Sequence, residues 1–127
     1  MCYDLSGVFR DMEGALPDID PQTEAAARRF LGLIAGRYDV AGAILFGSRA
    51  RGTHRPDSDA DVAVLLNGEH GPRAPIVLAM ADLAYDVLLE TGIDISPLPI
   101  WVDQWEQPET FSNPHLLRNI AAEGIRL

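Results

Sequence analysis

The sequence predicts one α/β or α+β layer structure, a small sheet with helices packed on it. Short apolar runs of strand length alternate with longer segments whose apolar residues recur at helical spacing. The chain has 127 residues, room for one compact unit and no second folded module. At 47% hydrophobic and 23% charged its composition is that of an ordinary globular domain, which can bury about two thirds of its unfolded surface.

Residues 1–19 show no clean period, although Leu5, Val8, Phe9 and Met12 can form a short amphipathic turn or two. They read as an N-terminal extension to a domain of residues 20–127. From Asp20 the signals sharpen: Asp20 can cap, Pro21 suits the first helical position, and Ala26, Phe30, Leu33 and Ile34 recur at helical spacing. A helix is expected from Pro21 to Ala35, with Gly36 near its end. VAGAILF, residues 40–46, is too short for a typical helix and reads as a buried strand ended by Gly47. SRARGTHRPDS, residues 48–58, is polar and basic, and fits a short helix from Ser48 followed by a loop.

DADVAVLL, residues 59–66, has the length and valine content of a second strand, closed by the turn residues of NGEHG. Beyond Pro72 and Pro75, the residues Ile76, Val77, Met80, Leu83, Ala84, Val87 and Leu88 trace one helical face, with Gly92 as terminator. IDIS, residues 93–96, reads as a third strand. Pro97 and Pro99 would interrupt a central ladder, so the LPIWV stretch is expected as an edge extension or a separate short strand. Asn113 and Pro114 open a last helix through Leu116, Leu117 and Ile120, ended by Gly124.

Charge narrows the function. Acids outnumber bases 19 to 10, a net charge of -9, which disfavours broad nucleic-acid binding because a phosphate backbone would be repelled. A single cysteine, Cys2, excludes an internal disulfide framework and a multi-cysteine metal site, and makes a reducing cytoplasm the default compartment. The first residues carry acids and a glycine where a signal peptide needs a basic start and an apolar stretch. No later run approaches the roughly 20 apolar residues of a spanning helix. A soluble cytoplasmic protein is expected.

The informative stretch is residues 47–66. Side chains alternate along a strand, so Asp59 and Asp61 point to one side while Ala60 and Val62 point to the other. Like charges about 4 Å apart cost on the order of 4 kcal/mol at an effective dielectric near 20, so the pair calls for a proton or a cation between them. Magnesium, which prefers one or two carboxylates plus substrate phosphates, supplies that charge. Gly47 lets the backbone approach a ligand, and the N–H groups of a helix starting at Ser48 can receive phosphate, extended by the Ser48 hydroxyl. Arg49, Arg51, His54 and Arg55 gather positive charge beside it, which suits a nucleotide better than a long nucleic acid. Asp94 lies between Ile93 and Ile95. If its strand pairs beside residues 59–66, it faces the same end of the sheet, as a third metal ligand and proton acceptor in a two-ion displacement.

Gly47-Ser48, ten intervening residues, then Asp59-Ala60-Asp61 resembles the active-site signature of the nucleotidyltransferase superfamily that includes DNA polymerase beta. So short a chain is most similar to the minimal nucleotidyltransferases, and its tail, residues 116–127, resembles an ending common among them. The resemblance covers residues 21–127. It implies a polymerase-beta-like fold with a small mixed sheet of three to five strands, ATP with magnesium as donor, and a third acid on a following strand, where Asp94 matches. It also implies that many members are antitoxins paired with a helical HEPN-type toxin, some of which adenylylate a tyrosine on that partner.

Blander readings stand beside these. Asp94 can cap the turn after Gly92, and Asp57 can shape the loop before Asp59. Arg51 can touch phosphate, pack the loop or pair with Asp57, while Arg49 and Arg55 read as ordinary surface arginines. His54 reads as an exposed loop residue, and His70 and His115 have no metal-ligand spacing. Trp101 and Trp105 read as core, with a partner-binding anchor as the alternative. Three functions follow. The first is an active minimal nucleotidyltransferase with a protein acceptor and antitoxin role. The second is an antitoxin that holds nucleotide without turnover and neutralises by occlusion. The third is a small-molecule nucleotidyltransferase whose acceptor domain is a separate subunit.

Overall fold

The computed structural model describes residues 19–69 and 71–127. The expectations for residues 1–18, Cys2 among them, and for His70 fall outside the described residues. Ile19 is buried in the core beside the first helix.

Helix α1 spans Pro21–Ala35; Asp20 caps it by accepting the Thr23 N–H at 3.1 Å, and Gly36 closes it. Strand β1, Val40–Phe46, leads through Gly47 into a four-residue helix α2, Ser48–Arg51. Strand β2 runs Ala60–Leu66 and helix α3 runs Ala74–Thr91, ended by Gly92. Strand β3, Ile95–Trp101, passes directly into a short helix α4, Val102–Glu106, and a 3-10 turn, Pro108–Thr110. Helix α5, Pro114–Glu123, starts on an Asn113 cap and is followed by strand β4, Ile125–Arg126.

The sheet order is β3-β2-β1-β4. β1 pairs antiparallel with β2 and β4, whereas β2 and β3 are parallel, so the sheet is mixed as the resemblance implies. Parallel neighbours need a crossover, which α3 supplies. Ala60, Val62, Val64 and Leu66 of β2 pack against α1 and α3. Ala63 and Leu65 face the other way, against Ile44, Ile100, Phe111, Leu117 and Ile120. β2 is therefore buried on both faces, as its near-continuous apolar run requires.

Three details differ from the sequence reading. The third strand begins at Ile95, not Ile93, and runs without a break through both prolines. β3 is an edge strand, and the Ala60 N–H donates to the Asp94 carbonyl at 2.8 Å. In this parallel register the even-numbered β3 amides face β2 and the nitrogens of Pro97 and Pro99 point away from it, so the ladder loses no donor. The second difference is α4 with its following turn, where no helical period was evident. The third is β4, two residues too short to carry a pattern. Its approach depends on Gly124, where a Cβ would overlap the Ile44 side chain.

Candidate active site

The site forms where β1 ends and β2 and β3 begin. Phe46, the last residue of β1, lies opposite Asp61. Gly47 then takes φ +77°, a left-handed conformation that disfavours any residue with a side chain. A Cβ there would also occupy the position of Asp61 Oδ2, so glycine both makes the turn and leaves space for the carboxylate. The Ala50 and Arg51 N–H groups both bond the Gly47 carbonyl at 3.1 Å. Only the donors at the start of the turn, together with the Ser48 hydroxyl, are left to face a phosphate.

Asp59 and Asp61 share the side-chain parity of Ala63 and Leu65, which places them on the sheet face opposite α1 and α3. Since Ala60 pairs with Ile95, Asp94 stands beside Asp59 at the start of the neighbouring strand. The carboxylates sense one another. Burial first, and then the charge of Asp59, pushes the Asp61 carboxyl above its usual range, with Arg51 opposing. Burial and then Asp59 also raise Asp94. Asp59 thus couples to both neighbours, and the cluster has a deficit of positive charge that a cation would relieve.

No group of three His, Cys, Asp or Glu side chains among the described residues is drawn together as a metal cage would require. Magnesium needs no such cage, because it takes one or two carboxylates and completes its shell with substrate phosphates and water. The Asp59–Asp61 pair fits that demand.

Arg49 is where the structure overturns the sequence reading. It is no surface arginine: it is 3% exposed. Its Nε donates to the Ser58 carbonyl at 2.9 Å, and its Nη2 to the carbonyls of Pro56 at 3.0 Å and Arg55 at 3.5 Å. Nη1 donates to Thr23 Oγ1 at 2.7 Å, and Thr23 Oγ1 in turn donates to Asp20 Oδ2 at 2.9 Å. The Thr23 hydroxyl, with smaller help from His54 and Arg49, holds the Asp20 carboxyl below its usual range against the opposing effect of burial. One guanidinium therefore ties the helix after the Gly47 turn to the loop before Asp59 and to the start of α1. The sequence gives no sign of this, because the loop acceptors are main-chain carbonyls, which every residue type carries.

Arg51 does not pair with Asp57; it reaches Glu123 at 3.8 Å, with both side chains about half exposed. So long and exposed a pair is weak, which leaves Arg51 available to an anion beside Asp61. Asp57 is exposed in the loop, and Ser58 Oγ accepts the Arg55 N–H there at 2.9 Å. His54 is half-buried, with an Nδ1 that has no hydrogen-bond partner among the described residues. It lines a pocket of about 320 Å³ together with Asp20, Arg49 and Gly92, and Asp59, Asp61 and Asp94 are not among the lining residues. Trp101 and Trp105 are half-buried, each packed against a core cluster. His115 is exposed on α5.

Residues 27–125 match the family described as nucleotidyltransferase domain. No curated protein matches the chain. Among solved structures, a protein of Sulfolobus solfataricus provisionally described as a nucleotidyltransferase shares 17% identity, with a TM-score of 0.39 over 65% of this chain and 70% of that one.

Proposed function

The chain belongs to the nucleotidyltransferase domain family, and from that premise we propose that it moves a nucleoside monophosphate, AMP from ATP, onto a hydroxyl of a partner protein. The observation that carries this reading is the placement of Asp61 and Asp59 at the start of β2 beside the Gly47 turn, with Asp94 next to Asp59 on the neighbouring strand. The Ser48 hydroxyl and the first N–H groups of α2 receive the triphosphate, and Arg51 adds positive charge next to Asp61. A divalent ion held by Asp59 and Asp61 would supply the charge that neutralises the phosphates. The acceptor oxygen bonds to the α-phosphorus, pyrophosphate leaves, and the hydroxyl proton passes to the Asp94 carboxylate. Its raised pKa suits a base working closer to neutrality.

In this reading the acceptor is a tyrosine of a HEPN-type toxin and the chain acts as its antitoxin. Support comes from the resemblance to the minimal nucleotidyltransferases. Orientation within such a complex can contribute roughly 7–11 kcal/mol toward the barrier.

ATP labelled at the α-phosphate, magnesium and lysate of the native cell should place label on one small protein, and Asp59→Asn should abolish it. Nucleotide binding without labelling would favour the occluding antitoxin. Label on a free small molecule would favour a small-molecule transferase with a separate acceptor subunit.

A further inference from the structure

Helix α3 is apolar on two opposite sides. Met80, Leu83, Ala84 and Val87 are buried against the sheet and α1. At 100° per residue, Leu78, Asp82, Tyr85 and Leu89 form a single row directly opposite them. Leu78 and Leu89 are each 68% exposed and Tyr85 is 58% exposed; among the described residues these are the large apolar side chains that stand mostly in solvent. An ordinary surface helix carries polar residues there. α1 illustrates the contrast, for its outer face presents Arg28 and Arg29 in ion pairs with Glu24 and Glu90. The row spans roughly 16 Å along the axis, about three helical turns. Its spacing of four, three and four residues is that of a seam for a second helix.

Charge selects the occupant. Asp82 lies within the row and Asp86 borders it; both are exposed and neither makes an ion pair among the described residues, although Asp86 feels the charge of Arg29, so Asp82 is the acid most open to a partner. A second copy would set these acids against their own kind on a chain of net charge -9. Residues 1–18 contain apolar side chains too, but Asp4, Asp11, Glu13 and Asp18 outweigh Arg10, so their charge repeats that of α3 instead of opposing it. No helix among the described residues is long and apolar enough to cross a membrane. We propose that the Leu78–Tyr85–Leu89 row of α3 is a docking surface for an amphipathic helix of a basic partner protein, with leucine-type residues along its seam and lysine or arginine opposite Asp82 and Asp86. The row faces away from Asp59, Asp61 and Asp94, so docking and transfer are separable.

The test uses the full-length chain and a synthetic helical peptide of about three heptads, with Leu at the seam and Lys at the flanks, beside a control peptide with Glu at the flanks. The Lys peptide should bind, more weakly as salt rises, and should shift the methyl signals of Leu78 and Leu89, while the Glu peptide should not bind. The double variant L78S/L89S should weaken binding about tenfold or more with an unchanged melting temperature. Asp61→Asn should leave peptide binding intact, so failure of the transfer reading and failure of this one give different results. Equal binding of both peptides, or binding of neither, overturns the proposal. It is also overturned in favour of a second copy if sedimentation shows a dimer that L78S/L89S dissociates. If a soluble paramagnetic agent fails to reach Leu78 and Leu89 in the free chain until Val8→Ser and Phe9→Ser are introduced, the occupant is the chain's own N-terminal segment.

Discussion

The two ends of strand β2 obey different rules. From Val62 to Leu66 every side chain is buried, and alternate residues serve the two halves of the core. At its start the same strand carries Asp61, with Asp59 just ahead, each on the face that would otherwise continue the apolar stripe of Ala63 and Leu65. Burial and mutual repulsion raise the Asp61 carboxyl, so this end works against folding at neutral pH while the other end drives it. The rest of the core supports a local arrangement that only a cation or a ligand would make comfortable.

The sharpest way to break this contrast is Asp61→Asn. Transfer should fall on the order of a thousandfold, yet the protein without ligands should melt at a higher temperature than wild type at pH 7. The sign follows from linkage: a carboxyl whose folded pKa is raised binds protons more readily folded than unfolded, so it lowers stability as pH climbs from its ordinary 3.8 toward the raised folded value. Wild type and variant should therefore converge in melting scans below pH 3.8 and separate above it. A lower melting temperature for the variant at pH 7 would mean that Asp61 is a structural acid.

Leu65→Ala tests the opposite end. It should cost about 2–5 kcal/mol of stability through the cavity it leaves, measured by urea unfolding, with activity per folded molecule nearly unchanged. An effect with a foot in both regions belongs to Arg49→Met. Loss of the guanidinium strands loop carbonyls at about 1–3 kcal/mol for each buried group left unpaired. Hydrogen exchange should quicken across residues 53–58, and transfer should fall because Asp59 loses its fixed approach. Unchanged exchange in that loop would remove Arg49 from any role in the site.

Much of this organisation was legible beforehand, for reasons that can be named. Proline at the first helical position, Asp20 and Asn113 as caps, and Gly47 and Gly92 as terminators are local signals, so the bounds of α1, β1, α3 and α5 could be read from neighbouring residues. The Gly47-Ser48 turn and the Asp59–Asp61 pair were legible because strand alternation fixes which way the carboxylates face. The position of Asp94 needed one condition, parallel pairing of its strand with β2, and that pairing is observed. What escaped depends on distant partners. Strand β4 exists because β1 offers an edge and Gly124 permits close approach. The burial of Arg49 depends on carbonyls that a loop brings to it. The outer row of α3 escaped because the helix is apolar on both sides, and only packing against the sheet decides which side is covered.

Edge strands carry a further risk that this molecule meets with its prolines. The outward-facing amide positions of β3 are those of Ile95, Pro97, Pro99 and Trp101, and the Trp101 N–H is already taken by the Gln104 side chain at 3.2 Å. Two positions without a donor and one already satisfied leave an incoming strand few N–H groups to pair with, so only half of a regular ladder can form. An open four-stranded sheet would otherwise offer a template for strand addition and edge-to-edge aggregation. On this side the protein resists it through main-chain chemistry, with no need of a charged barrier.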